Sequence, residues 1–321
     1  MRVRHIWPFV ALLMLGCNGG GGSGNGNGNG DDDDDDNAGG SRFDELIFVD
    51  VDNNGDYTGF TPGDDFDTTE WLTQTVDAAK QIDVPVAGNI EDFEKETAVP
   101  DAEVDLWFDD VVVPSLSDLT VTSDVNGNIG ITAPACEAMA YRITTDPVLD
   151  LTKTTYKAHH MYPYNEGNEV DDGLFLSVST VTYQLIPTIL GVNVDPNLAI
   201  IAGTAYDVAR DAGLSSDIDD GKIEGVQVIV YDDKGNIPPA LTVNYFTESF
   251  PDRDQKWTSA DGLWVAANVP DGLLTVEMWG QYEGELKLLG ATQMLSEPDS
   301  INISNIFAGY NDGVKYPDDC L

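Results

Sequence analysis

The residues best suited to chemistry begin at Asp50, in the segment DVDNNGDYTG. Its oxygen-bearing side chains alternate around a glycine and are Asp50, Asp52, Asn54 and Asp56. Calcium takes about six to eight oxygen ligands, and this spacing brings carboxylates to one side of a turn. Thr61 stands where an EF-hand loop carries its bidentate glutamate, with Asp64 and Asp65 as nearby replacements. Two interpretations therefore stay open, a calcium site and a solvated Asp-Asn-Gly turn.

A second group that could bind a ligand is aromatic and lies near the end of the chain. It consists of Trp257, Trp264, Trp279 and Tyr282. Alternation in GLWVAANV favours a core position for Trp264. We predict that the other three form a ligand-binding surface if they are exposed, with core packing as the alternative.

Sequence patterns of catalysis are missing from the chain. His159 and His160 are adjacent, and neighbouring side chains of a strand point to opposite faces, so this pair is a poor metal chelate. The sequence contains no G-x-S-x-G, P-loop or H-E-x-x-H pattern. With 57 acidic residues, no single carboxylate pair is informative. We therefore expect a protein that is not an enzyme.

The N-terminus has the order of a secretory signal peptide. Basic residues precede an apolar run that ends at Leu15, and Gly16 and Cys17 follow. This run is too short to span a bilayer, which takes about 20 residues of helix. After Cys17 come glycines, asparagines and six consecutive aspartates, which predict a flexible, self-repelling tether.

The segment Leu13 to Cys17 resembles the lipobox of bacterial lipoproteins. The resemblance implies that residues 1–16 are removed and that Cys17 carries a covalent lipid. Asn18 is not the aspartate that retains some lipoproteins in the inner membrane, so the resemblance favours an outer-membrane location. Ordinary secretion with cleavage elsewhere is the alternative.

Two further cysteines, Cys136 and Cys320, form an even pair in a chain that is predicted to be exported. They predict either one disulfide that closes a long loop or two unpaired thiols, because sequence does not show how closely they approach.

The net charge of −42 excludes nucleic acid as a partner, because phosphate binding needs a basic surface. It also argues against docking on anionic lipid, so we expect contact with the membrane only through the lipid anchor. Hydrophobic residues still make up 41% of the chain, which predicts a folded body beyond the tether. An envelope protein or a polysaccharide is the expected partner.

An internal repeat gives the main information on fold. Gly88 matches Gly203, and the strands after them alternate in the same way. Further downstream, TSDVNGNIGITAP from Thr122 parallels TSADGLWVAANVP from Thr258. Both stretches contain a dipeptide typical of hairpin turns, Asn-Gly or Asp-Gly.

The second copy carries the pattern I-x-G, G-x-x-V, T-x-x-x-G-x-W and V-P-x-G in residues 201–272. It resembles the carboxypeptidase regulatory-like domain, a transthyretin-like β-sandwich related to the collagen-adhesin B-type repeat. The resemblance implies a mainly β fold of two tandem sandwich modules and no catalytic group. Starch-binding relatives of this fold suggest carbohydrate binding by analogy.

A short helix is predicted between the two copies, within Phe175 to Asn197. Its apolar residues fall at helical spacing and are Val181, Leu185, Ile186, Ile189 and Leu190. Ser179 or Thr180 is the expected cap, Gly191 the expected end, and we assign the stripe a packing role.

The predicted organisation is a signal peptide (1–16), lipid attachment and disordered tether (17–42), β-rich lead-in (43–84), first module (85–165), connector with short helix (166–200), second module (201–309) and C-terminal tail (310–321). The predicted function is a non-enzymatic envelope lipoprotein that displays these modules for adhesion, assembly or scaffolding. A carbohydrate-binding protein of the cell surface is the alternative.

Overall fold

The computed structural model describes residues 71, 73–110, 116–146, 148, 151–166, 169–206, 222–282, 285–310 and 314–321. All of these lie in one compact unit of the chain, residues 40–321. The predicted lipidation site and calcium ligands lie outside the described residues; they are Cys17, Asp50, Asp52, Asn54 and Asp56.

The described chain is mainly β, which confirms the predicted fold class. The first repeat (residues 83–179) contains β1 Asp83–Asp92, β2 Glu103–Trp107, β3 Leu119–Thr122, β4 Asn128–Pro134, β5 Met139–Thr144, β6 Thr152–Lys153, β7 Thr155–His160 and β8 Val170–Ser179. Helix α1, Thr180–Leu190, follows. The second repeat (residues 199–307) contains β9 Ala199–Tyr206, β10 Gln227–Asp232, β11 Thr242–Thr247, β12 Phe250–Asp252, β13 Leu263–Val269, β14 Gly272–Tyr282, β15 Glu285–Ser296, β16 Ile301–Ile303 and β17 Ile306–Phe307. A 3-10 turn at Asp318–Cys320 comes last.

One sheet runs through both repeats. Its strand order is β12-β11-β13-β9-β16-β7-β5-β2-β3, with β17 also beside β9. The junction is β16, which pairs in parallel with β7 of the first repeat and with β9 of the second. Separate sheets, β4-β1-β8-β6 and β10-β14-β15, complete the two sandwiches. The module boundaries proposed from the sequence remain predictions, and the range 166–200 also contains β8, a strand that was not predicted.

The two repeats share one hydrogen-bond pattern around their matched glycines. Gly88 lies opposite Ile129 in the β1–β4 pair, and Gly203 lies opposite Trp264 in the β9–β13 pair. The Gly127 carbonyl accepts from Ile90, as the equivalent carbonyl of the second repeat accepts from its own first strand. The two repeats are therefore similar in backbone structure as well as in sequence.

The match of Thr122 with Thr258 was wrong by one residue. The Ser123 hydroxyl donates to the Val99 carbonyl at 2.9 Å and accepts from the Ala102 amide. Thr258 makes the equivalent bonds with Ile223 and Val226. With Ser123 matched to Thr258, each turn reaches its glycine, Gly127 or Gly262, four residues later, so it was the shared Thr-Ser letters that misaligned the buried hydroxyls.

Each sandwich buries its own hydrophobic core. The first core fills the space between β1 and β4 on one side and β2 and β5 on the other, and it includes Phe175 and both bonded cysteines. The second core centres on Trp264, which is 1% exposed, as its sequence pattern predicted.

Helix α1 begins and ends where its caps predict. The Ser179 hydroxyl accepts from the Thr182 amide at 3.2 Å, and Gly191 adopts φ 72° after the last turn. At 11 residues the helix is well short of a bilayer span, and no helix of the described chain is long and apolar enough for one.

The packing role assigned to the apolar stripe of α1 was wrong for three of its residues, because Val181, Leu185 and Ile189 are exposed. The chain enters the helix directly from β8, so the sheet fixes the rotation of α1. Tyr183 and Leu190 face the protein instead.

Candidate functional site

Trp279 is the predicted ligand residue with the best-defined surroundings. It lies half-buried on β14, on the face opposite the core residues Val276 and Met278. Its indole N–H donates to Glu277 Oε2 at 2.8 Å, and the Tyr231 hydroxyl donates to Glu277 Oε1 at 2.7 Å. Glu277 is only 4% exposed, so a nearly buried carboxylate fixes the orientation of the indole.

The local fold explains this cluster. Residues at positions i and i+2 of a strand share a face, which places Glu277 beside Trp279. Tyr231 comes from the neighbouring strand β10, where it lies opposite Thr275 and thus diagonally across from Glu277. An oriented, partly exposed indole held by a buried carboxyl group is suited to stacking against a flat apolar face that also bears polar groups.

Trp257 lies at the same end of the second sandwich. It is half-buried and precedes Thr258, whose amide donates to the Val226 carbonyl. Gln227, which follows Val226 in the chain, lies opposite Trp279 in the β10–β14 pair. The backbone ladder therefore brings the two tryptophan positions to one end of β10, and Tyr282 is the last residue of β14.

Sequence analysis missed Glu277 and Tyr231. Their signal is weak, because one glutamate among 57 acidic residues does not stand out. The i, i+2 spacing of Glu277 and Trp279 in EMW would have placed them on one face. The contribution of Tyr231 depends on strand pairing, which is not local in sequence.

The two adjacent histidines occupy separate environments. His159 contacts Asp110 through Nδ1, 2.5 Å from Oδ2, and its Nε2 lies 2.8 Å from the Gln293 carbonyl oxygen, so it links the first repeat to β15. His160 packs edge-on against Tyr141 and Tyr162. Burial lowers the pKa of His160 well below its ordinary value, which keeps that ring neutral.

Among the described residues, no group of three or more His, Cys, Asp or Glu side chains is arranged to hold a metal ion. The predicted calcium ligands lie outside those residues, so calcium binding at Asp50 stays a prediction.

The two remaining cysteines are bonded in the structure. The Cys136 and Cys320 sulfurs are 2.14 Å apart and the Cα atoms 5.4 Å apart, across 184 residues of sequence. Around them, the Cys136 amide donates to Tyr162, and the Cys320 carbonyl accepts from Asp77 at 3.0 Å. The bond therefore joins the end of the chain to the first sandwich.

No protein-family model matches the chain, and no curated protein matches its sequence. Solved structures that match include the Bacillus anthracis TIE protein, at 12% identity and TM-score 0.24 over 71% of this chain and 34% of that one. The shaft pilin SpaA of Lactobacillus rhamnosus GG matches at 8% identity and TM-score 0.22, and the match covers 73% of this chain and 100% of the pilin. A streptococcal ancillary pilin matches at 11% identity and TM-score 0.21, and the match covers 70% of this chain and 62% of the pilin. The chain spans about a third of the TIE protein. Similarities of this size carry no argument about function.

Proposed function

We propose that this chain is a non-enzymatic, lipid-anchored protein of the bacterial cell envelope that displays a disulfide-closed pair of β-sandwich modules for adhesion, assembly or scaffolding. The disulfide between Cys136 and Cys320 carries the proposal. Disulfides persist in oxidising compartments and are rare in the cytosol, so this bond supports export. Export agrees with the predicted signal peptide, residues 1–16, which precedes Cys17.

Contacts of residues 74–77 with residues 316–320 support a role in which the folded part of the protein is attached to the membrane through the tether. The Asp77 amide bonds to the Cys320 carbonyl, and Gln74 exchanges two hydrogen bonds with the backbone of Tyr316. The segment that leads in from the N-terminus is thus fastened beside the disulfide. A pull on the tether would reach the first sandwich at its cross-linked end.

The remaining parts of the proposal come from sequence. The acidic spacer would hold the body away from the membrane, and the lipid on Cys17 would be its only membrane contact, in the outer membrane. The resemblance to carboxypeptidase regulatory-like domains supports a display module. Calcium at Asp50 would stiffen the segment next to the tether.

The anchor is tested by expressing the full-length chain in a bacterium that is fed a labelled fatty acid. We expect label in the wild type, loss of label and of membrane association in Cys17→Ala, and retention of both in Cys136→Ala, which keeps the junction. Label in Cys17→Ala would contradict lipidation at this residue. Hydrolysis of peptide or glycan substrates above background by the purified protein would contradict the non-enzymatic role.

A second candidate function, carbohydrate binding, is favoured by the oriented indole of Trp279. Envelope and plant polysaccharides are titrated while tryptophan fluorescence is followed, with and without calcium. We expect a saturable shift that Trp279→Ala abolishes and Trp257→Ala weakens. Phe93→Ala is the matched control, because Phe93 is an exposed aromatic residue in the first repeat, away from both tryptophans. No shift with any glycan would leave the scaffolding role as the better account.

A further inference from the structure

An open groove of about 580 Å³ lies between β3 and β4, at one side of the first sandwich. Most of its lining is apolar and comes from Pro85, Val86, Phe108, Leu119, Val121 and Ile131. The backbone of Gly130 and Thr132, on β4, also lines it. The groove therefore joins an apolar surface to a strand edge.

The second repeat shows what fills this position when it is occupied. There β11 pairs in antiparallel fashion with β13, with Asn244 opposite Val265 and Thr242 opposite Ala267. Tyr245 of β11 is 5% exposed and accepts a hydrogen bond from the Val228 amide at 2.9 Å, across the sandwich. A strand thus covers the edge and its side chains fill the space between the sheets.

The first repeat sends the corresponding strand elsewhere. By the shared register, Gly130 and Thr132 of β4 correspond to Val265 and Ala267, two of the four β13 residues that pair with β11. The strand that precedes β4 in sequence, β3, pairs with β2 instead, with Val121 opposite Val104. Among the described residues, β4 has β1 as its only partner strand.

The free edge presents donors and acceptors. The Ala135 amide bonds to the Ile82 carbonyl, and the Gly127 carbonyl accepts from Ile90, so the odd-numbered residues of β4 face β1. The backbone N–H and C=O groups of Gly130 and Thr132 therefore point away from β1, towards the groove. Such an edge is a template for one more strand.

We propose that residues 46–51 of the same chain, with the sequence LIFVDV, add to β4 as this missing strand. The segment is rich in β-branched and aromatic residues and is apolar at both alternating sets of positions. This matches β11, whose Tyr245 and Phe246 are buried in different cores. An edge strand that packs on both faces needs this composition.

The chain can reach the groove without a partner. The 19 residues from Asp52 to Glu70 separate the segment from the first described residue, and they span up to about 65 Å when extended. The described chain then passes the groove, because Ile82 bonds to Ala135 beside the end of β4. A tethered strand has an effective concentration near the millimolar range, which favours the intramolecular pairing over a second copy.

Hydrogen–deuterium exchange of the full-length protein tests the proposal. In the wild type we expect alternate amides of residues 46–51, those that bond to β4, and the amides of Gly130 and Thr132 to exchange at least about 100-fold more slowly than in a free chain. Exchange of these amides at free-chain rates would overturn the proposal.

Two variants of Gly130 separate strand addition from loss of fold. Gly130→Pro removes the outward N–H, and proline is tolerated where a strand N–H faces away from its partner. Gly130→Ala keeps the N–H, and no atom lies within 4 Å of its added Cβ. We expect Gly130→Pro to speed exchange in residues 46–51 by about tenfold or more, the effect of one lost hydrogen bond, and Gly130→Ala to leave it unchanged. Equal protection in both variants would overturn the proposal.

A reciprocal variant and a dilution series complete the test. Ile47→Asp with Val49→Asp places charges at apolar positions of the segment and is expected to expose the Thr132 amide, whereas Thr68→Asp with Thr69→Asp, which adds the same charge outside the segment, is not. Protection that disappears on dilution, together with a dimer mass, would show a second copy in the groove and would contradict the intramolecular pairing. The exchange is measured with a calcium chelator present, so calcium at Asp50, the lipid anchor and the carbohydrate site do not enter, and failure here is independent of the proposed function.

Discussion

Removing the disulfide is expected to lower the free energy of unfolding by about 5 kcal/mol. The bond closes a loop of 184 residues, and the chain-entropy relation for a loop of that length gives about 5 kcal/mol at 25 °C. Domains are stable by about 5–15 kcal/mol in total, so this one bond accounts for a third or more of that free energy. Cys136 and Cys320 are both fully buried, so replacing them by alanine adds the cost of a small cavity to the loss of loop closure.

The loss is expected to begin at the C-terminus. The Cys320 carbonyl holds the Asp77 amide, and the Lys80 ammonium group bonds to the Leu321 carbonyl. Without the covalent bond, the last residues are held on the first sandwich by non-covalent contacts, including those of Gln74 with Tyr316 and the packing of Tyr316 on the first core. Amides of residues 73–82 should therefore exchange faster in the reduced protein.

Guanidinium unfolding measures the effect in the oxidised protein, in the reduced protein and in a Cys136→Ala/Cys320→Ala variant. We expect the midpoint to fall and the denaturant slope to rise, because an unfolded chain without the cross-link exposes more surface. Cys17→Ala is the control that removes a cysteine and leaves the disulfide intact. A change under about 1 kcal/mol with an unchanged slope would refute the entropic reasoning.

Three further changes are accessible to unfolding measurements. Gly203→Ala should lower the free energy of thermal unfolding by about 3 kcal/mol or more, because the added Cβ would overlap the Ser304 carbonyl oxygen after β16. Gly130→Ala is the control, since its added Cβ meets no atom within 4 Å and the free energy of unfolding should not change. Asp105→Ala should cost about 3 kcal/mol in urea unfolding, because it strips a largely buried partner from Arg142; Asp105→Asn should cost less. Burial, helped by a nearby carboxylate, raises the pKa of Tyr183 from its ordinary 10 to about 12. The folded state therefore keeps its proton where the unfolded chain loses it, so stability should fall between pH 10 and 12, and by less in Tyr183→Phe.

Local features of the fold were predictable from the sequence. Gly127 and Gly262 adopt φ of 80° and 64°, the conformation that the Asn-Gly and Asp-Gly dipeptides predict for a tight turn. The helix caps Ser179 and Gly191 were equally readable, because capping depends on residues within one turn of the chain.

Strand pairing was not predictable. The strands β3 and β11 occupy the same place in the order of their repeats, yet β3 joins β2 and β11 joins β13. Alternation of apolar residues specifies which face of a strand is buried, and not which neighbour it has. The same limit hid β8, whose partner β1 lies about 80 residues earlier in the chain.

The candidate site was predictable in its aromatic part only. Trp279 stood out by composition, whereas Glu277 became visible once strand pairing brought Tyr231 to its other oxygen. For helix α1, the sequence indicated the element but not which of its residues are buried. Helical spacing predicted the helix correctly but not its rotation, which β8 and the hydrogen bond from the Ser179 amide to Asp92 determine.

The order of the chain explains why the disulfide lies where it does. The lead-in at Asp77 and the segment at Cys320 both contact the first sandwich, so the chain returns to the first sandwich on both sides of the second repeat. It is inserted between α1 and the C-terminal segment, and all of it lies between Cys136 and Cys320. Its closing strand β16 also completes the sheet of the first repeat through β7. If the second sandwich opens, both of its connections stay fixed to the first, which limits the entropy that opening gains and favours re-formation of the shared sheet.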